Sequence, residues 1–271
     1  MSINIPALFF LLALAVLAQP AEAGFISFET STVINVLENR AQAVVTVTNK
    51  GDEAAHNVKV TMEIDESSFP GSLKNLLQPK EQYRAEFETA LKYKKPGRYP
   101  VIVSVEYTDA NLYPFTAPSV AYLNYGDSSN ARATGTIANA TVTKTGSIRL
   151  TINNLDTVER EFNFRMVAPK ELLISGPKGG RMIAPGESKT VSFEVRNISA
   201  LPGSNYPVFA VLGYEDDKYY YSTVATGSVT VARGSALLTT YKWPLAALLV
   251  ILVLIVAAYN LKTFRKRGPK T

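Results

Sequence analysis

The sequence predicts an all-β protein built of two similar β-sandwiches in tandem, with a signal peptide before them and one transmembrane helix after them. Short alternating segments ended by Gly, Pro, Asn and Asp fill the chain between two hydrophobic ends. No long window between residues 24 and 235 sustains a helical period, and three motifs recur in order. The predicted segments are a signal peptide at 1–23, a first sandwich at 24–127, a linker and the start of the second module at 128–145, a second sandwich at 146–233, a transmembrane helix at 241–261 and a basic cytoplasmic tail at 262–271.

The first hydrophobic end predicts a signal peptide. Residues 5–18 have the length of its apolar region, and residues 19–20 break that run. Ala21 and Ala23 supply small side chains where signal peptidase reads them, so Gly24 is the expected mature N-terminus. The first four residues lack Lys or Arg, which leaves an uncleaved N-terminal anchor as the alternative. Either segment directs the following residues across the membrane.

The second hydrophobic end predicts a permanent membrane anchor. Residues 243–261 carry no charge and, at 1.5 Å per residue, match a hydrocarbon core of about 30 Å. Amphipathic rings flank this run at Tyr241, Trp243 and Tyr259. The basic residues that follow it are Lys262, Arg265, Lys266 and Arg267. The positive-inside rule then places the C-terminus in the cytoplasm and the ectodomain outside it, as in a type I single-pass protein of the cell membrane. No sorting motif precedes the helix.

Composition excludes several classes of function. The net charge is +5, but the tail after Leu261 holds five basic residues and no acid, so the rest of the chain is close to neutral. This distribution gives no ground for a nucleic-acid-binding face. The absence of cysteine removes disulfides, thiolate metal sites and cysteine nucleophiles, and favours a bacterial or archaeal envelope for an exported protein.

The predicted ectodomain repeats itself at an offset of 105–107 residues, which is about the size of one immunoglobulin-like domain. Residues 45–50 resemble residues 150–155, and residues 77–81 resemble residues 183–187. Strands are expected at residues 43–48, 58–64, 83–91 and 190–195. In the second of these, Val58, Val60, Met62 and Ile64 are expected to face the core.

The third repeated motif is Pro-Gly-x-Tyr, at residues 96–99 and, with one inserted residue, at 202–206. Pro and Gly favour a corner between sheets, and the Tyr hydroxyl can bond to the backbone there as a tyrosine corner. Tyr99 and Tyr206 are therefore interpreted as structural. Together these motifs predict two tandem immunoglobulin-like β-sandwiches.

The same motifs resemble the CARDB and NEW3 immunoglobulin-like modules of bacterial and archaeal surface proteins. The first copy carries the pattern in Asn49-Lys50-Gly51 and in residues 96–99, whereas the second replaces the turn glycine with Leu155. This resemblance implies a non-catalytic spacer or adhesion-type role in the cell envelope. A fainter resemblance is to the lumenal subunit of the translocon-associated protein complex, which has one module where this chain has two.

The sequence carries no recognisable catalytic or cofactor-binding motif, so no enzyme activity, cofactor or metal is predicted. The only histidine, His56, lies in a stretch interpreted as a turn. The acidic run at residues 215–217 suits either a polar hairpin tip or calcium, although it lacks the spaced Asp pattern. Asn139 and Asn197 begin glycosylation sequons.

A tyrosine run is the candidate partner-binding surface. Tyr219, Tyr220 and Tyr221, with Tyr122 and Tyr125 in the counterpart region, could form a stacking face for a sugar or a protein. Because alternate residues of a strand face opposite ways, one or two of the three must point outward.

These observations favour an interaction or structural protein, namely an accessory subunit or scaffold of a membrane complex with a protein partner in the envelope. The alternative is a membrane-displayed module that binds carbohydrate or another surface through the tyrosine run. The join between modules, within residues 126–145, is rich in Ser, Asn, Ala, Thr and Gly and is expected to be partly flexible.

Overall fold

The structure is a computed structural model that describes residues 24–65, 67–127 and 130–233, together with eight helical residues between 243 and 255. Within this described part, no helix is both long and apolar enough to cross a bilayer. Trp243 is helical and exposed, and Gly24 begins the first described segment. Outside the described residues lie the other positions of the predicted leader, span and tail: Ala21, Ala23, Tyr241, Tyr259, Lys262, Arg265, Lys266 and Arg267. Those assignments stay predictions.

The first seven strands form a sandwich of two antiparallel sheets. They are β1 Phe28–Leu37, β2 Arg40–Asn49, β3 Ala55–Ile64, β4 Ser67–Leu77, β5 Gln82–Ala90, β6 Gly97–Thr108 and β7 Pro114–Tyr125. One sheet has the order β1-β2-β5, and the facing sheet runs β4-β3-β6-β7. This is the three-plus-four arrangement of a small immunoglobulin-like sandwich.

The remaining nine strands form the second sandwich. They are β8 Ala133–Ala138, β9 Ala140–Val142, β10 Thr145–Asn154, β11 Arg160–Val167, β12 Leu172–Ser175, β13 Arg181–Ile183, β14 Ser188–Asn197, β15 Asn205–Glu215 and β16 Tyr220–Val231. One sheet has the order β12-β14-β10-β8, and the other runs β13-β11-β15-β16 with β9 beside β16. Strands β8 and β9 take up much of the segment expected to be a linker.

Alternation of apolar and polar residues produces these strands, as the sequence predicts. In β3, Val58, Val60, Met62 and Ile64 are buried, while their neighbours are partly or fully exposed. Each sandwich has its own core: one is formed by residues between 41 and 123, and the other by residues between 133 and 231. The prediction of an all-β chain of β-sandwiches is confirmed.

A buried asparagine closes the same turn in both sandwiches. The side-chain amide of Asn49 donates to the carbonyl oxygens of Glu53 (2.8 Å) and Leu77 (3.2 Å), and its oxygen accepts from the N–H of Gly51 (3.0 Å). A Cβ at Gly51 would clash with the carbonyl oxygen of Phe25, so no side chain fits there.

In the second sandwich Asn154 makes the corresponding bonds, with Asp156 in the place of Gly51 (N–H to Oδ1, 2.9 Å). The assignment of Leu155 to the glycine position is therefore wrong by one residue. The residue after each asparagine bonds to the segment that crosses the turn: Lys50 N–H donates to Ser27 O at 2.7 Å, and Leu155 N–H donates to Arg132 O at 3.0 Å. The second turn keeps the asparagine hydrogen bonds with an aspartate at position 156, so those bonds do not require a glycine.

The two sandwiches are joined laterally where β16 meets β6. Tyr220 and Gly97 form a parallel pair, and the Tyr220 N–H donates to the carbonyl oxygen of Pro96 at 3.0 Å. A Cβ at Gly97 would clash with the carbonyl oxygen of Tyr220, so a glycine is required for this approach. The facing sheets of the two modules thus continue into one another.

Candidate interaction site

The candidate site is the contact region between the two sandwiches, which we call the seam. Its centre is an apolar cluster in which Ile102 of β6 is buried against Val167 of β11 and Val211 of β15. Partly buried Val120, Phe209 and Val224 pack around them. These side chains point away from their own cores, so their burial depends on contact between the modules.

A column of three tyrosine rings forms one end of the seam. Tyr93 stacks on Tyr99 with centroids 3.6 Å apart, and Tyr99 stacks on Tyr220 at 4.4 Å. Tyr220 belongs to β16 of the second module but packs against the core of the first. Burial raises the pKa of Tyr99 to about 12, so its hydroxyl stays protonated at neutral pH. That hydroxyl donates to the carbonyl oxygen of Lys95 at 2.8 Å.

Ion pairs across the seam surround the apolar cluster. Glu63 of β3 accepts from both terminal nitrogens of Arg165 in β11, and the Nη2–Oε2 distance is 2.9 Å. Glu106 of β6 pairs with Lys170 at 2.6 Å. Near the tyrosine column, the ammonium of Lys95 lies 3.2 Å from the Glu215 carboxylate and donates to the Asp216 carbonyl oxygen at 2.6 Å. Because these pairs are partly exposed, they orient the modules more than they stabilise them.

Glu171 is buried at the opposite end of the seam. Its Oε1 accepts from the N–H of Thr116, at the start of β7, at 2.9 Å. Its Oε2 is buried without a hydrogen-bond partner, and burial raises the pKa of this carboxyl despite hydrogen bonds from Thr116 and the nearby charge of Lys170. A protonated carboxyl at this position avoids an uncompensated buried charge.

A groove of about 370 Å³ opens beside Glu171 between the two modules. Leu73, Tyr107 and Phe115 give it an apolar wall, and Lys170 and Glu106 line its polar side. Tyr107 and Phe115 stack with centroids 5.4 Å apart. Two stacked aromatic rings therefore form part of the groove wall.

The structure separates the three tyrosines of the predicted binding run. Tyr220 is used in the seam, and Tyr221 faces the other way, stacked on Tyr214 at 4.8 Å with its hydroxyl donating to Asp216 Oδ2 at 2.8 Å. Tyr219 is half-buried at an edge-on angle to Tyr221. These three rings therefore do not form one flat platform. Whether Tyr219 contacts a partner stays a prediction.

The counterpart tyrosines of β7 also have local partners. Arg98 places its guanidinium 3.5 Å from the centroid of the Tyr122 ring. The Tyr125 hydroxyl donates to Asn39 Oδ1 at 2.8 Å, and its ring meets Tyr93 edge-on. Tyr125 thereby extends the aromatic column of the seam.

Both predicted tyrosine corners are confirmed. Tyr99 bonds back to the carbonyl oxygen of Lys95, as described above, and the Tyr206 hydroxyl accepts from the N–H of Leu201 at 2.8 Å. The two corners use opposite hydrogen-bonding roles of the phenol. The inserted residue in the second motif accompanies this change.

The predicted acidic tip forms a hairpin closed by Asp216. Its Oδ1 accepts from the N–H groups of Lys218 (2.8 Å) and Tyr219 (2.7 Å). Burial acts to raise the pKa of Asp216, but these hydrogen bonds outweigh it and hold the pKa below the ordinary value. Across the described residues, no group of three or more His, Cys, Asp or Glu side chains is arranged to hold a metal ion.

The structure also places three further residues that the sequence singles out. His56 lies within strand β3, opposite Thr108 of β6, so the turn assignment for it is wrong. Asn139 is exposed, with its Oδ1 accepting from Ser228 N–H at 3.0 Å. Asn197 uses its amide on the carbonyl oxygens of Thr143 and Ala200, so its nitrogen is already committed.

Sequence reasoning missed the seam, although one signal indicates it. In β6 the consecutive residues Val101, Ile102 and Val103 are all buried, as are Ala210, Val211 and Leu212 in β15. An unbroken apolar run is typical of a strand covered on both faces. The polar members of the seam, such as Glu63 and Arg165, carry no comparable signal.

No protein-family model and no curated protein sequence matches the chain. Among solved structures, it is similar to a mutant of Salmonella alpha-2-macroglobulin, at 9% identity and a TM-score of 0.32, over 76% of this chain and 16% of that one. Escherichia coli alpha-2-macroglobulin activated by porcine elastase gives 11% identity and a TM-score of 0.30, over 79% and 23%. A Porphyromonas gingivalis protein of unknown function gives 12% identity and a TM-score of 0.30, over 75% and 99%. This chain therefore spans less than a quarter of either macroglobulin.

Proposed function

We propose that this chain is a non-catalytic, single-pass protein of the cell membrane whose two immunoglobulin-like modules act as one rigid interaction or structural unit outside the cytoplasm. A protein partner in the envelope would make it an accessory subunit or scaffold of a membrane complex. The signal peptide, the C-terminal span and the resemblance to CARDB and NEW3 modules belong to this proposal.

The locked seam is the observation that supports this role best. A spacer made of independent modules needs no buried contacts between them, whereas here Ile102, Val167 and Val211 are buried only through that contact. Ion pairs on both sides of the cluster fix one relative orientation. A scaffold requires such a fixed geometry, because a partner that touches both modules binds without the cost of ordering them.

The experiment is cross-linking in intact cells, followed by purification through a tag on the cytoplasmic end and mass spectrometry. We expect a stoichiometric membrane partner with the native chain. Ile102→Asp, which places a charge in the seam, should reduce its recovery several-fold. The matched control is Val33→Asp, at an exposed position of β1, which should leave recovery of the partner unchanged.

Three results would contradict the proposal. A chain that stays alone in mild detergent and after cross-linking is not a complex subunit. External protease that spares residues 24–233 in right-side-out vesicles, while removing a C-terminal tag, would reverse the proposed orientation. Recovery of envelope polysaccharide instead of protein would favour the surface-binding alternative.

A further inference from the structure

Five segments meet at the end of the second sandwich where the chain leaves β16, and we call this the exit end. They are residues 142–144, 170–171, 197–203 and 231–233 of the second module and the loop 109–113 of the first. Backbone hydrogen bonds connect them: Ala232 N–H donates to Val142 O at 2.7 Å, and Asn197 N–H to Lys144 O at 2.8 Å. The Tyr113 hydroxyl donates to the carbonyl oxygen of Ser199 and ties in the first module.

The exit end presents large apolar side chains to solvent. Leu112 is 67% exposed, Ile198 55% and Leu201 39%. Leu112 has a φ of 63°, which a leucine rarely adopts. The Asp109 carboxylate holds this loop by accepting from the N–H groups of Asn111 (2.9 Å) and Tyr113 (2.8 Å). These hydrogen bonds hold Leu112 at the tip of the loop.

Basic side chains are also exposed at or beside the exit end. Lys144 and Arg233 of the exit end and the adjoining Arg196 are exposed, and no ion pair is formed by them within the described residues. The acidic groups there are committed: Glu106 to Lys170, Asp109 to its own loop and Glu171 to the seam. Exposed apolar and basic side chains at one end of a domain suit a surface with anionic headgroups above an apolar layer.

The position of the exit end determines what it faces. Residues 234–242 connect Arg233 to the helical residues that begin at Trp243. Even fully extended, a connection of this length spans at most about 35 Å. If the helix lies in a membrane, the exit end is therefore held within about 35 Å of the lipid.

We infer that the exit end rests on the bilayer, with Leu112, Ile198 and Leu201 in the interfacial region and Lys144, Arg196 and Arg233 against anionic lipid headgroups. This inference rests on the proposed membrane anchor and adds a second, peripheral contact to it. With this contact the strands of the second sandwich point away from the bilayer, because β10 runs from Thr145 at the exit end to Asn154 at the opposite end.

The test uses the full chain, whose lack of cysteine permits single labels. Leu112→Cys carries a fluorophore, and Leu155→Cys, exposed beyond the far end of β10, is the matched control. Each labelled chain is reconstituted in vesicles of phosphatidylcholine and phosphatidylserine that contain a headgroup-linked quencher. We expect quenching several-fold stronger at position 112 than at position 155. Lys144→Glu with Arg233→Glu should reduce the quenching at position 112 to the level of the control.

The outcomes separate this inference from the proposal on which it depends. A chain that fails to float with the vesicles overturns both. A chain that floats but shows equal quenching at both positions keeps its anchor and overturns the membrane contact. Quenching that is equally strong in vesicles of phosphatidylcholine alone overturns the role of the basic residues.

Discussion

Asn154 repeats, in the second sandwich, the hydrogen bonds that Asn49 makes in the first. Its side-chain amide donates to the carbonyl oxygens of Val158 (2.9 Å) and Ile183 (2.8 Å), which correspond to Glu53 and Leu77. Both asparagines are fully buried. A buried amide with all its partners present stabilises a single turn geometry.

Replacing this asparagine should be costly. Asn154→Ala leaves buried carbonyl oxygens without a donor, and we expect a loss of about 2–4 kcal/mol in the free energy of unfolding. Urea unfolding followed by circular dichroism measures it. The adjacent Asn153→Ala, whose side chain bonds at the surface to Thr134 and Ser188, should cost less than about 1 kcal/mol. Equal losses in both variants would show that the asparagine does not define the turn.

The tyrosine column predicts that one residue of the second module stabilises the first. Tyr220→Ala removes the outer ring of the column and should lower the unfolding free energy by about 2–4 kcal/mol. Hydrogen exchange should increase at the amides around Tyr99. Tyr219→Ala, at a half-buried position outside the column, is the control and should leave exchange in the first module unchanged. An unchanged exchange pattern in Tyr220→Ala would mean that the modules are not coupled through the stack.

The Glu63–Arg165 pair should contribute little to stability in spite of its two hydrogen bonds. The arginine side chain is 54% exposed, so water screens the attraction. A double-mutant cycle with Glu63→Ala and Arg165→Ala should give a coupling energy of about 0.5–1 kcal/mol that decreases in high salt. A coupling above about 3 kcal/mol would mean that the pair acts as a buried one.

Glu171 should make stability decrease as the pH rises. Its folded-state pKa lies above the ordinary 4.5, so the folded protein holds a proton that the unfolded chain releases. The free energy of unfolding is therefore highest below pH 4.5 for this group and decreases as the pH rises through the raised value. Glu171→Gln should abolish this slope and raise stability at neutral pH by about 1–3 kcal/mol. Glu187→Gln, on the exposed turn before β14, is the control. An unchanged slope in Glu171→Gln would assign the pH dependence to another group.

The sequence predicts the strands well because each sandwich obeys a local rule. Alternation in β3 and the repeated Pro-Gly-x-Tyr corner depend only on neighbouring residues. Both can therefore be recognised in the sequence without the structure. The seam depends on residues far apart in the chain. Ile102 and Val211 look like core positions in sequence, and only the fold shows that they face outward towards each other.

The candidate site was therefore less predictable than the fold. Tyr220 was expected among possible binding residues, yet nothing in its sequence context specifies Tyr99 as its neighbour. The sequence does not distinguish Glu171 from an exposed glutamate. Its burial depends on the approach of β7, which belongs to the other module.

The long pairing between β15 and β16 has a mechanical consequence for a chain held at its C-terminus. The strand that continues towards the helix is β16, which pairs with β15 along its length from Tyr220 to Thr230. Tension applied at Arg233 along the direction of β16 would load these hydrogen bonds in shear, so they would have to break together. At its far end β16 begins at Tyr220, the residue held by the first module. A pulling force would thus pass through one strand into both sandwiches, which would resist it as a single body.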